Sequence, residues 1–234
     1  RDLRMSRGLG DVYKRQIHSN MIKIERFVFN MLQENCYVVS DDTDECVIID
    51  CGAFYDYERK AIVEYINGNK LKPVHLLATH GHFDHNFGNN TIYDEFGLTP
   101  EIASADESLL ESIGKQAESL CHIHIDFKSP ASKHFLKRED VICFGHQKIT
   151  VIETPGHSPG SVTFYCEKEN IAFTGDTLFK NSIGRTDFLG GSMMQIIQSL
   201  RMLAQLPDET VILPGHGEKT TIGDELAHNP YMER

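Results

Sequence analysis

The segment Thr79-His80-Gly81-His82-Phe83-Asp84-His85 constrains this chain more than any other. Three histidines and an aspartate fall within six residues, directly after residues 74–78, which read as a short buried strand. Crowding four such groups beside a core is costly, because their lone pairs and partial charges need partners. Metal ions satisfy all of them together. Imidazole and carboxylate oxygen suit zinc and similar first-row ions.

Three later segments repeat the theme. Thr154-Pro-Gly-His157 places a histidine after a strand, Thr174-Gly-Asp176 an aspartate after another, and Leu213-Pro-Gly-His216 a further histidine. In each, a ligand-type residue sits at a strand end beside glycine. Strand ends cluster along one edge of a sandwich, so residues distant in sequence can meet there.

The rest of the pattern supplies such strands. Residues 22–29 alternate in hydrophobicity, and 35–40 and 46–50 form a hairpin around an acidic turn. Helical spacing marks 57–66, 86–96, 105–120 and 192–205. Further strands are expected at 101–104, 140–144, 147–153, 161–166, 171–175 and 210–213, and residues 121–139 read as irregular. Mixed hairpins and crossovers predict two packed sheets with helices outside. Met193, Met194, Ile196, Ile197, Leu200 and Leu203 are expected in the core. With no Pro/Gly/Ser-rich linker, residues 21–234 read as one domain. Residues 1–20, with five Lys/Arg, two Asp/Glu and no helical or strand period, read as a non-native or disordered tail.

Composition narrows the function. A net charge of −11 argues against nucleic acid and anionic membranes, both of which need a basic face. It leaves room for a small anionic substrate, because bound metal creates a local positive field. No apolar run approaches the roughly 18 residues of a membrane span. Six scattered cysteines without a Cys-x-x-Cys pair read as reduced thiols in a cytoplasmic protein. His122 and His124 form a second His-x-His pair without a third ligand, so they are expected at the surface. His18, His75, His134, His146 and His228 are read the same way.

The motifs THGHFDH, TPGHSPGS, TGDTLF, GRTDF and LPGHG, with the tail His228-Asn229-Pro230, resemble the metallo-β-lactamase superfamily over residues 21–232. They are most similar to its glyoxalase II (hydroxyacylglutathione hydrolase) branch, especially short bacterial forms. The resemblance implies an α/β, four-layer αββα sandwich with a metal site at one edge of the sheets. It implies two divalent ions, zinc first, with iron or manganese as alternatives. His80, His82 and His157 would hold one ion, Asp84, His85 and His216 the other, and Asp176 would bridge them. Asp84 and Asp176 would be the catalytic carboxylates, and Asp50 would orient a ligand from behind. The implied reaction is thioester hydrolysis by a metal-bridging hydroxide, acting on a small, anionic S-acyl substrate. A mononuclear iron persulfide dioxygenase, a lactonase or a phosphodiesterase on the same scaffold are the alternatives. Arg185 has two readings, substrate-carboxylate recognition or an ion pair with Asp187; Lys180 is the weaker substrate contact. Only eighteen residues follow His216, fewer than the helical domain that supplies glutathione contacts in full-length relatives, so glutathione itself is not the expected specificity determinant.

Overall fold

The computed structural model describes residues 22–233. The expectation for residues 1–20 lies outside them. Six strands, β1 (Lys23–Phe29), β2 (Glu34–Ser40), β3 (Glu45–Ile49), β4 (Lys72–Leu77), β5 (Pro100–Ala103) and β6 (His134–Leu136), form the first sheet in sequence order. The hairpins are antiparallel, whereas β3 to β6 pair in parallel. The next strands are β7 (Val141–Phe144), β8 (Gln147–Glu153), β9 (Val162–Cys166) and β10 (Ile171–Gly175). A small ribbon follows, β11 (Leu178–Phe179) with β12 (Ser182–Ile183), and then β13 (Val211–Pro214) and β14 (Thr220–Thr221). The second sheet runs β14-β13-β10-β9-β8-β7, with β10 and β13 parallel.

Period-two alternation builds the layers. In β2, Tyr37 and Val39 point between the sheets, where they meet Val47, Ile49 and Leu77 from the first sheet and Val151, Phe164 and Phe173 from the second. Cys36 and Val38 point outward, under helices α1 (Asp56–Gly68) and α2 (Asn89–Phe96), against Ile62, Ile66 and Ile92. Every residue of β2 is buried, as expected of a strand covered on both faces. Helices α3 (Glu107–Glu111) and α4 (Ile113–Cys121) follow β5. Helices α5 (Met193–Leu203) and α6 (Ile222–His228) cover the second sheet, with Leu200, Leu203 and Ile222 clustered with Ala172 of β10 and Ile212 of β13. The result is the four-layer αββα sandwich.

Several expectations need correction. The helix read at 105–120 is two helices, broken at Ser112, whose hydroxyl donates to the Ser108 carbonyl at 2.7 Å. The helix read at 86–96 begins at Asn89, after a 3₁₀ turn over Phe83–His85. The segment read as irregular contains β6, which extends the first sheet beside β5. Met193 and Met194 are 50% and 74% exposed, because the buried stripe of α5 begins one turn later at Ile196. Among the described residues no helix is long and apolar enough to cross a membrane.

His75 also departs from its surface reading. It is half-buried on β4, pairs through Nδ1 with Glu101 on β5, and hydrogen-bonds the Cys143 backbone on β7 of the other sheet. The Glu101 hydrogen bond raises its pKa above 6.5, against the opposing effect of burial. A raised histidine pKa contributes stability below the unfolded value and loses it as pH rises through the folded one. Denaturant unfolding should therefore show wild type gaining more over His75→Gln at pH 6 than at pH 8.5. A stability difference independent of pH would contradict this.

Candidate metal centre

Five strands deliver the site to one edge. Asp50 follows β3, and residues 79–85 follow β4. His157, Asp176 and His216 follow β8, β10 and β13. The two sheets are stitched together there. Val162 donates its N–H to the Thr79 carbonyl at 2.8 Å, and Asn35 to the Gly215 carbonyl at 2.7 Å. Gly215 has to be glycine, since a Cβ would lie 2.3 Å from Asp176 Oδ1 and 2.6 Å from the His85 ring. Gly156 (φ +141°) likewise admits the first turn of α5, which a Cβ would meet at 2.3 Å from the Ile196 nitrogen.

The protons on these imidazoles are assigned by their partners. Thr79 Oγ1 donates to Asp50 Oδ2 at 2.7 Å, so it accepts from His80 Nδ1 at 3.0 Å. His85 Nδ1 donates to Asp50 Oδ2 at 3.1 Å, His157 Nδ1 to the Arg185 carbonyl at 2.7 Å, and His216 Nδ1 to the Leu32 carbonyl at 3.1 Å. In the neutral ring the other nitrogen is then a bare acceptor. Four Nε2 lone pairs are thus aimed into the site. His85 Nε2 and His216 Nε2 face each other at 3.2 Å, and His82 Nδ1 faces His157 Nε2 at 2.8 Å. Among the described residues, His80 Nε2 and Asp176 Oδ1 are buried without a hydrogen bond, although His85 Nε2 lies 3.4 Å from the latter.

The donor set fits divalent cations. His80, His82 and His157 bring their ligand atoms within 4.8 Å of one another, and so do Asp84, His85 and His216. Asp176 lies between the two groups, 3.5 Å from His157 Nε2, 3.4 Å from His85 Nε2 and 3.6 Å from His216 Nε2. The structure therefore brings all seven expected side chains together, in the expected two sets. Asp50 also lies within 4.8 Å of His80 and His85, but it already accepts from Thr79 N, Thr79 Oγ1 and His85 Nδ1. That arrangement fixes ring orientation from behind. Its backbone adopts φ +53°, unusual for a non-glycine residue, and aims the carboxylate at both histidines.

Without cations the cluster is held together by protons. Burial opposes charge on His85, yet Asp176 and Asp84 outweigh it and hold its pKa well above the ordinary value. His216 is raised in the same way against burial, by Asp176 and Asp84. Burial would raise Asp176, but His85 and His216 hold it well below the usual carboxylate range. Burial and neighbouring imidazoles push His80 well down, and burial and His157 push His82 to about 4.

Other residues that position the ligands carried no motif. Asp106 is fully buried and accepts from Gly81 N at 2.8 Å, Ser158 Oγ at 2.6 Å and Gly160 N at 2.6 Å. One carboxylate thus ties the His80–His82 turn to the His157 loop. Asn86 Nδ2 donates to the carbonyls of His80 and His82, and Asn30 Nδ2 to that of Asp84. In sequence, Asp106 looks like an ordinary helix-capping residue.

The cluster opens into a cavity of about 510 Å³, lined on its apolar side by Leu32, Phe83, Leu120, Phe179, Ile183 and Phe188. Arg185 also lines it, and of its two readings the ion pair is formed. Nε and Nη2 donate to Asp187 at 2.7 and 2.6 Å, and the guanidinium stacks 3.9 Å over Phe188. His122 and His124 are exposed at the surface, as expected.

Two outcomes follow from this geometry. Zinc added to metal-free protein at pH 7 should release protons, since cations displace the proton that Asp176 and Asp84 hold on His85; an indicator dye in weak buffer reads this, and zero release would contradict the assignment. Asp106→Ala should weaken zinc binding by roughly 10–100-fold in chelator competition, and unchanged affinity would remove its positioning role.

The model of the metallo-β-lactamase superfamily matches residues 30–216. Hydroxyacylglutathione hydrolase GloC of Haemophilus influenzae is 34% identical over 215 residues, 90% of this chain and 98% of that protein. The crystal structure of the B3 metallo-β-lactamase BLEG-1 superposes with a TM-score of 0.80 at 34% identity, covering 92% of this chain and all of that one. A di-iron-bound form of TTHA1623 gives 0.79 at 33% identity, covering 89% and 100%. Motif, ligand geometry and architecture agree with these matches: the chain belongs to the metallo-β-lactamase superfamily, whose members bind divalent metals.

Proposed function

We propose that the chain is a binuclear metal hydrolase of glyoxalase II type that cleaves S-acyl thioesters. The observation that carries this reading is the convergence of five imidazoles and two carboxylates, four rings with assigned tautomers, on one cavity with a largely apolar wall. The similarity to GloC supports the thioester class. Zinc is the metal we propose; the di-iron form of TTHA1623 keeps iron as the alternative to be measured. Six free cysteines fit a reducing compartment such as the cytoplasm.

His80, His82, His157 and Asp176 would hold one cation, and Asp84, His85, His216 and Asp176 the other. When bound, such cations supply Lewis acidity and lower the pKa of water toward about 7. The protein's own groups do the rest. Asp84 lines the cavity, 3.2 Å from His216 Nε2. Burial opposes its charge, but His85 holds its pKa below the usual value, so it is an anion at neutral pH. It is placed to orient an attacking water and receive a proton from it. Water adds to the carbonyl carbon, the C–S bond breaks, and the products are a carboxylic acid and a thiol. The thiolate leaves without a strong general acid, since a thiol pKa is near 8.5. Asp50 and Asp106 keep the ligating loops from moving as charge develops.

A substrate panel tests the reading on protein of measured zinc, iron and manganese content. It comprises S-D-lactoylglutathione, acetyl thioesters, a lactone, a β-lactam and bis(p-nitrophenyl) phosphate, with oxygen uptake followed on a persulfide. Thioesters should give the highest kcat/KM, and His82→Ala should lower it by more than about 100-fold, beyond what a supporting residue costs. Turnover of another class without thioester hydrolysis would overturn the reading.

A further inference from the structure

Beyond the residues that would hold metal, the catalytic cavity has little means of reading an anionic substrate. Histidines aside, Arg185 is the only cation on its wall among the described residues, and Asp187 neutralises it through two hydrogen bonds. Unspent positive charge lies next door. A second groove, of about 790 Å³, opens between β1 of the first sheet and β13 of the second. Arg26, Lys180 and Lys219 line it, against one carboxylate, Glu218. Lys180 pairs with Glu218 at 2.7 Å, and among the described residues Arg26 Nη1 donates to the Gly217 carbonyl, at 3.2 Å. Three cations against one anion leave a surplus of two positive charges, in a chain whose net charge is −11. The floor is apolar and rigid: Tyr37 is buried there with its hydroxyl donating to the Pro214 carbonyl at 2.7 Å, beside Ile171, Val211 and Leu213.

The two cavities are lined by neighbouring residues of the same two segments. Phe179 lines the first and Lys180 the second; His216 lines the first, and Glu218 and Lys219 the second. Three residues of extended chain span at most about 11 Å, so the Lys219 backbone lies within that distance of the His216 backbone. A molecule whose reacting carbon sits at the histidine cluster would reach the basic groove by passing over Phe179 and His216. The groove's volume is within the range that holds small-molecule ligands.

We propose that this groove binds the anionic end, phosphate or carboxylate, of the thiol carrier whose acyl end occupies the catalytic cavity. The proposal rests on the thioesterase reading and adds to it the place where the carrier's charge is recognised. Arg26 and Lys219 supply local attraction for an anion in a chain of net charge −11, and Glu218 moderates it. Recognition through flexible, exposed cations acts on KM more than on kcat, because the anion is far from the reacting bond.

The test compares three metal-loaded proteins: wild type, the double variant Arg26→Gln/Lys219→Gln, and Glu218→Gln. Glutamine at 26 keeps a donor for the Gly217 carbonyl. Each is assayed on a neutral carrier, S-acetyl-N-acetylcysteamine, on acetyl-coenzyme A and on S-D-lactoylglutathione. The ratio of kcat/KM for an anionic carrier to that for the neutral one should fall at least tenfold in the double variant, through KM, and rise in Glu218→Gln. The coenzyme A arm reads phosphate and the glutathione arm carboxylate. Calorimetric titration with desulfo-coenzyme A and S-methylglutathione provides a readout that needs no turnover. Wild type should bind one of them at least tenfold more tightly than the double variant does. Absent thioester turnover with variant-sensitive probe binding would refute the hydrolase reading and leave the groove standing. If neither probe binds wild type, or both bind the double variant equally well, the groove is refuted whatever the turnover.

Discussion

Bare imidazole nitrogens held nose to nose are the constraint on which this structure depends. His85 and His216 each spend their Nδ1 proton on an oxygen behind the ring, so their Nε2 lone pairs face each other at 3.2 Å. Neutral rings in that arrangement repel, and only a shared proton or a cation between them makes it favourable. His80 Nε2 and Asp176 Oδ1, buried without a hydrogen bond among the described residues, make the same demand. Leaving such atoms unmet costs about 1–3 kcal/mol each, and more when charged. A fold that accepts this repeatedly at one spot is organised around a ligand for that spot.

The sandwich makes the arrangement possible by placing five strand ends at one edge. Strand direction is consistent there: β3 and β4 are parallel in one sheet, and β10 and β13 in the other. Hydrogen bonds from Val162 to Thr79 and from Asn35 to Gly215 lock the edges in register. Behind them, Asp50 and Asp106 each gather three donors and convert loop backbone into fixed geometry. Both are as buried as the core, which is why flexible loops present ligands as if from a rigid scaffold.

Much of this was legible in the sequence. Histidine and aspartate crowded four to a six-residue turn beside a buried strand need a cation to be stable there, so His80 to His85 announced the site and the strand-Gly-His repeats completed it. Strong period-two segments such as β1 and β8 were equally plain. What escaped had no chemical signature. Asp106 matches any helix-capping aspartate, and its role exists only because Gly81, Ser158 and Gly160 converge on it in space. The three residues of β6 are too few to show a period, and its partner β5 defines it. Met193 and Met194 fit the apolar pattern of α5 but lie beyond the edge of what the helix covers, a fact of tertiary packing. Arg185 illustrates the same limit: sequence offered two partners, and only the fold shows Asp187 holding both ends of the guanidinium fork.

The central claim is that seven side chains enclose two cations. Its most direct measurement is the anomalous-scattering map of a crystal grown from zinc-loaded protein. The account predicts two peaks per chain, one contacted by His80, His82 and His157, the other by Asp84, His85 and His216, with Asp176 touching both. A map with no peak at the cluster, or with a single ion that leaves either triad unused under saturating zinc, would contradict it.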